Sequence, residues 1–313
     1  MPIDRGRFVI AGLISATLLG WLGWTAGFAL PPIEVIDWVA LAGLAGAIVL
    51  ILLSRSLSFR AMAPPGLQQG QMRWLQLAAR HQAVFALFPG GSGDIGFPYL
   101  ARKIVGIETP AAVRIIAQVR LRDMVLLALL GMGGLASAGR SVDYAPLAMV
   151  AAVVLLWFID DLTALGLRAL TRVLPGSQLT MLLGESAKAQ SPGWRDRLLR
   201  TALTAAVWSS TLAAVIAGFA VVGVPIDLGQ AMLIVAAINL AGAIAISIAG
   251  LGVSEAGAAA ALLISGFEPQ RAAAIALLVR PILLVLIVTV SVATDLALTM
   301  LKARRSQDAD ANP

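Results

Sequence analysis

Cysteine is absent from this chain of 313 residues, and histidine occurs once, at His81. Without thiols there is no disulfide, no thiolate nucleophile and no cysteine metal site. A single imidazole cannot build a histidine-based zinc centre, so neither a metal nor another cofactor is expected. Charge is scarce too: 13% of the residues are Asp, Glu, Lys or Arg, against about 25% in soluble domains. No G-x-x-x-x-G-K-[ST] loop occurs, so any pumping is expected to need an ion gradient or a partner.

What is abundant is apolar sequence. Hydrophobic residues make up 59% of the chain, and the mean hydropathy is +0.89. A helix needs about 20 apolar residues to cross a hydrocarbon core about 30 Å thick. Only helices or closed barrels satisfy their backbone in lipid. The apolar runs are rich in Ala, Leu and Gly and lack alternation, which selects helices over a barrel. The clear spans fall at 8–30, 35–53, 111–135, 145–170, 200–224 and 272–298. The first is too long for the apolar region of a cleaved signal peptide and ends in Pro31-Pro32.

Two further apolar stretches, 72–88 and 228–249, run into glycine-rich breaks. One break is Pro89-Gly90-Gly91-Ser92-Gly93-Asp94. The other is Ala249-Gly250-Leu251-Gly252-Val253-Ser254-Glu255. Each is followed by only about ten apolar residues, ~15 Å of helix, which reaches half-way through a bilayer. Both are expected to be re-entrant hairpins with their tips near the midplane. With six spans, two hairpins and a cytoplasmic N-terminus, most of the 23 basic residues fall on cytoplasmic segments, and the outside holds only Arg140 and Arg271. That is the positive-inside bias. It also accounts for the net charge of +6 without nucleic-acid binding, for which no basic cluster sits on a soluble element.

One constant shift lays Gly90 on Gly250, Asp94 on Ser254 (beside Glu255), Gly106 on Gly266, Ala112 on Ala272 and Arg120 on Arg280. The expectation is an all-α integral membrane protein, one transmembrane domain over 1–313. It would hold inverted repeats at about 8–135 and 145–300 and a short cytoplasmic tail at 301–313. Inverted repeats joined by broken helices are a transporter architecture with its site at the midplane.

Arg120, Arg122 and Asp123 lie about ten residues or more into their span, and Arg280 lies equally deep in the last one, ~15 Å from the surface. Charges at that depth are costly and mark function by default. The hairpin tips offer free N–H groups and helix N-termini, which suit an anion. The expected substrate-binding residues are therefore Gly90, Gly91, Ser92, Gly93, Asp94, Arg120, Asp123, Gly250, Gly252, Ser254, Glu255 and Arg280, with Asp161 and Asn239 as weaker candidates. The bland reading of Asp94 and Glu255 is helix capping, and that of Arg120 and Asp123 is an ion pair on one helix face. Two enzymatic readings fit poorly. Gly90-Gly91-Ser92-Gly93 matches the G-x-S-G of rhomboid proteases, but no histidine follows it to serve as base. Pro89-Gly90-Gly91-Ser92 is similar to the phosphatase motif of undecaprenyl-pyrophosphate phosphatases, but Gly93 replaces its arginine and paired glutamates are missing.

The ordered set Pro89-Gly90-x-x-Gly93-Asp94, Arg120-x-x-Asp123, Gly250-Leu251-Gly252-Val253-Ser254-Glu255 and Arg280 resembles the lysylphosphatidylglycerol synthase transmembrane region. This is the flippase-like domain of multiple-peptide-resistance-factor proteins and of stand-alone relatives from hopanoid gene clusters. The chain departs from the family pattern in having Asp94 for Glu, Ala249 for Pro, and Ser254 where a basic residue is common. The resemblance implies translocation of a lipid or lipid-linked intermediate in a bacterial inner membrane. Both termini would be cytoplasmic, and no synthase activity is expected in this chain. The competing expectations are a non-transporting scaffold for a lipid- or glycan-modifying enzyme, and a divergent intramembrane lipid phosphatase.

Overall fold

The computed structural model describes residues 5–27, 36–64, 66, 67, 70–87, 92–140, 145–173, 184, 192–244 and 250–311. Among these residues the secondary structure is helical, with no strand. The helices are α1 (Arg5–Thr25), α2 (Trp38–Met62), α3 (Gln71–Leu87), α4 (Ser92–Ile104), α5 (Thr109–Ser137), α6 (Ala145–Val173), α7 (Trp194–Val221), α8 (Leu228–Ile244), α9 (Val253–Ile264) and α10 (Pro269–Ala311). The all-α membrane protein expected from the sequence is what the chain forms.

Four of these helices are long and apolar enough to cross a membrane: α2, α6, α7 and α10. Two others were also expected to span. α1 has 21 residues. α5 has 29, but Arg114, Arg120, Arg122 and Asp123 interrupt its apolar character. Large apolar side chains such as Leu147, Val150, Val153 and Leu165 stand exposed along α6. In water so wide an apolar face would be a liability; in a bilayer it is the face that meets lipid.

Local chemistry sets the helix ends. Asp37 caps α2, its carboxylate accepting from the N–H groups of Val39 and Ala40, two donors that the helix itself leaves unpaired. Both glycine-rich breaks end a helix and start another that folds back on it. Gly93, at the start of α4, lies against the backbone of Phe85 on α3, where a Cβ would come within 2.7 Å. One turn on, the Phe97 ring meets the His81 ring edge-on at 5.3 Å. In the second pair, Gly257 of α9 lies against Ala237 and Ala241 of α8. Each returning helix closes on a glycine at positive φ, Gly106 (85°) and Gly266 (91°), a conformation that residues with a Cβ seldom adopt.

Packing follows a pattern of exchange. α2 packs on α7; α5 packs on α8, and α10 packs on α3; α5 meets α6, and α10 meets α1. One apolar core joins Leu44, Ile48, Trp208, Phe219, Ile234 and Ile275. A second joins Phe59, Trp74, Leu77, Phe97, Ile107 and Ile115. The charged residues of α5 lie where these elements converge.

Candidate functional site

The first cluster forms around the start of α4. Gly93 brings α4 so close to α3 that Asp94, in its first turn, faces both α3 and α5. Arg120 of α5 donates to Asp94 twice, Nε to Oδ2 and a terminal nitrogen to Oδ1, each at 2.6 Å. This is the bidentate fork that matches a guanidinium to a carboxylate. The guanidinium also lies over the Phe85 ring, 4.4 Å from its centroid. His81 Nε2 lies 3.2 Å from Asp94 Oδ1. Pro98 has no N–H, so the carbonyl of Asp94 lacks its donor one turn on. The side chains of Asp94 and Arg120 remain 25% and 30% exposed, so the pair is not sealed.

Arg120 connects this cluster to Asp123, 3.6 Å away on the same helix. Asp123 is nearly inaccessible and is already satisfied. It accepts from Arg55 of α2 at 3.0 Å and from the Trp208 indole of α7 at 2.8 Å. Five helices thus meet through two acids and two guanidiniums.

Arg122 faces away from Asp123. It is 0% exposed and donates to Asp160 of α6 at 2.7 Å, to Thr201 of α7 and to the Leu156 carbonyl. Arg200 of α7 donates to the other oxygen of Asp160 at 2.9 Å and to the Ala61 carbonyl of α2. Asp161 pairs with Arg197. These contacts tie α6 to α5 and α7.

The second cluster is built differently. Gly252 precedes α9, and its N–H donates to Glu255 Oε2 at 2.6 Å. Glu255 is 1% exposed, and its Oε1 has no hydrogen-bond partner. The carboxylate is thus turned back to cap its own helix, as its bland reading expected. Ser254 is buried beside it. Arg280 of α10 reaches this tip: a Cβ on Gly250 would be 3.8 Å from its terminal nitrogen. Among the described residues Arg280 makes no ion pair within 4 Å, and its buried Nε has no hydrogen-bond partner. Glu255 is the acid whose charge it feels. Pro281 follows it inside the same helix.

The structure therefore brings together Asp94, Arg120 and Asp123 in one cluster, and Gly250, Gly252, Ser254, Glu255 and Arg280 in another. No hydrogen bond or ion pair joins the two among the described residues. Ser92 begins α4, and Gly90 and Gly91 lie outside the described residues. Asn239 donates only to the Val235 carbonyl of its own helix. Sequence reasoning missed His81, Arg55, Asp160, Arg200 and Trp208 as cluster members. Of these only Asp160 and His81 carried a signal, as a charged and a titratable side chain inside apolar sequence.

The profile of the lysylphosphatidylglycerol synthase TM region matches residues 8–291. The chain belongs to this family. The match takes in both clusters and α10 as far as residue 291, and it makes the chain a membrane protein of lipid-related kind. No curated protein and no solved structure matches the chain.

Proposed function

We propose that this member of the lysylphosphatidylglycerol synthase transmembrane family translocates a lipid, or a lipid-linked intermediate, whose anionic head group binds at the second tip beside Arg280. The observation that carries the reading is the contrast between two deep arginines. Arg120 has its carboxylate; Arg280 has none within ion-pair distance among the described residues. A deep guanidinium whose nearest acid, Glu255, is turned away to cap its own helix has its fork free for an anion. Its fork and the backbone donors of a glycine-rich tip suit the oxygens of a phosphate.

The proposal includes the architecture: two inverted repeats, with α3–α4 and α8–α9 as re-entrant hairpins. In support, the main helix pairs recur when the halves are exchanged, α5 on α8 answering α10 on α3 and α5 on α6 answering α10 on α1. The hairpins also close in one register, Phe97 on His81 corresponding to Gly257 on Ala241. Both returns end on matching glycines, Gly106 and Gly266. The proposed location is a bacterial inner membrane with both termini cytoplasmic, and the chain acts as a carrier and not as an enzyme.

The test is reconstitution into vesicles carrying fluorescent phosphatidylglycerol, with bleaching of the outer leaflet. Translocation above that of protein-free vesicles, lost in Arg280→Gln, supports the reading. No translocation of anionic or zwitterionic lipid overturns it and leaves the scaffold reading. One observation favours that second reading: Arg122, Asp160 and Arg200 form a closed charge cluster with no opening.

A further inference from the structure

We propose that His81 is a proton-binding residue, and that its proton is taken up together with a phosphate-bearing anion at the Asp94–Arg120 pair. The identity of the anion rests on the transport reading; the proton site does not.

The argument starts from the ring nitrogens. Asp94 is held ionised by the two donors of Arg120, so it can only accept. The Nε2 of His81, 3.2 Å from Oδ1, must therefore carry its hydrogen. A neutral ring then has Nδ1 as a bare base, and Nδ1 is buried without a hydrogen-bond partner. This is the nitrogen that can receive a proton.

The fold does not require an imidazole here. The matching hairpin closes in the same register with Ala241 against Gly257, so the ring is an addition to one tip only. Phe59 and Phe97 meet its edges and faces, which accounts for its apolar body but not for its aim at a carboxylate.

The local charge sum gives the coupling. The charged groups that face the ring are Asp94 of α4, Arg120 of α5 and Arg55 of α2. Asp123 is bound to Arg55 and Arg120. From α10, Asp295 is engaged by Arg80 and Gln76, and Arg60 of α2 is turned to Gln71 at the far end of α3. Two acids thus balance two guanidiniums, and the neutral ring leaves the sum at zero. A proton on Nδ1 makes it positive by one charge, in surroundings that screen charge poorly. One monoanion restores neutrality. His81 then competes with Arg120 for Asp94, and a guanidinium is released to the anion. The proton and the anion each favour the other's binding, as linkage requires.

The single histidine makes the test clean. Protein labelled with 15N-histidine, carrying a purification tag free of histidine, is placed in phosphatidylcholine nanodiscs, and the ring nitrogens are followed by NMR from about pH 8 to about pH 4.5, spanning the ordinary histidine range. A Lys103→His chain adds an exposed reporter that senses the surface potential. The expected ring is protonated at Nε2 at high pH and at both nitrogens at low pH. At a fixed pH near about 6, the doubly protonated fraction should rise about fivefold or more beyond the reporter's own change when phosphatidylglycerol replaces phosphatidylcholine. Inorganic phosphate added to phosphatidylcholine nanodiscs forms the second arm. A rise with either supports the site and names the source of the anion. The inference is overturned by a ring that stays neutral throughout, or by a rise that only matches the reporter in both arms. Coupled protonation without lipid translocation would leave this site standing and remove the transport reading; translocation with a silent ring would do the reverse.

Discussion

Arg120 and Arg280, which one constant shift of the sequence lays on each other, have different fates. Arg120 is fixed by Asp94, His81 and the Phe85 ring, whereas Arg280 stands beside a glycine tip without an ion pair among the described residues. Removing Arg280 breaks no ion pair among the described residues, and Glu255, whose charge it feels, keeps its bond to the Gly252 N–H. Arg280→Gln is therefore expected to keep folded protein near the wild-type amount while lowering phosphatidylglycerol translocation at least about tenfold, the loss of one strong charge-assisted contact. Vesicle bleaching and detergent size-exclusion profiles check the two halves of that statement. Asp160 is the opposite case. It alone separates Arg122 from Arg200, and Asp160→Ala would leave two buried guanidiniums facing each other. The expected cost is about 3–5 kcal/mol, read as a lower unfolding temperature and a poor yield. Depth in an apolar run singled out Arg120, Arg122 and Arg280, because a deep charge is visible in one dimension. The spacing on one helix gave the Arg120–Asp123 pair, but it did not reveal the acid that Arg122 would meet. Asp160 reaches Arg122 and Arg200 from other helices, and nothing local to any of these residues encodes that. His81 was passed over because a single histidine was weighed only as a metal ligand, which says nothing about a proton.

At the scale of elements, glycine and polar contacts do what apolar burial does in water. Lipid gives helices little hydrophobic reason to associate, so close backbone approach and buried polar links carry the packing. Gly134 of α5 is such an approach: a Cβ there would lie 2.6 Å from the backbone nitrogen of Leu233 on α8. Gly134→Val is expected to force α5 from α8 and cost about 1–3 kcal/mol, the usual penalty for overpacking; thermal unfolding in detergent measures it. Gly139, which has open space around its missing Cβ, provides the contrast, although its positive φ adds a backbone strain that a substitution would also meet. α6 is held mainly by Asp160, Asp161 and the Leu156 and Trp157 carbonyls, so the same Asp160→Ala chain should expose α6 to proteolysis first. Most helix starts were legible, since apolar runs, glycine-rich breaks and Gly106 and Gly266 mark where a helix can continue, but α2 runs on to Met62 and α10 to Ala311, past the ends expected at 53 and 298.

For the whole molecule, the distribution of basic residues makes a directional statement. A cysteine introduced at Lys103 in this cysteine-free chain should react with an impermeant maleimide only after the membrane is permeabilised, and one at Arg140 should react from outside. Labelling at Lys103 from outside would remove the hairpin reading of α3 and α4. One helix carries a proline inside its membrane course. α10 runs for 43 residues, ~64 Å at 1.5 Å per residue, about twice the hydrocarbon thickness. Pro281 deprives the Leu277 carbonyl of its donor in the turn that carries Arg280. Pro281 is thus the place where α10 can bend, its first turn lying against the end of α1, where Gln270 approaches Gly27, and its later turns held to α3 through Asp295. A bend of a few degrees at the joint would sweep the guanidinium past Gly250 while both ends stay where they are, so a head group bound there could be handed from one side to the other by a hinge one residue long.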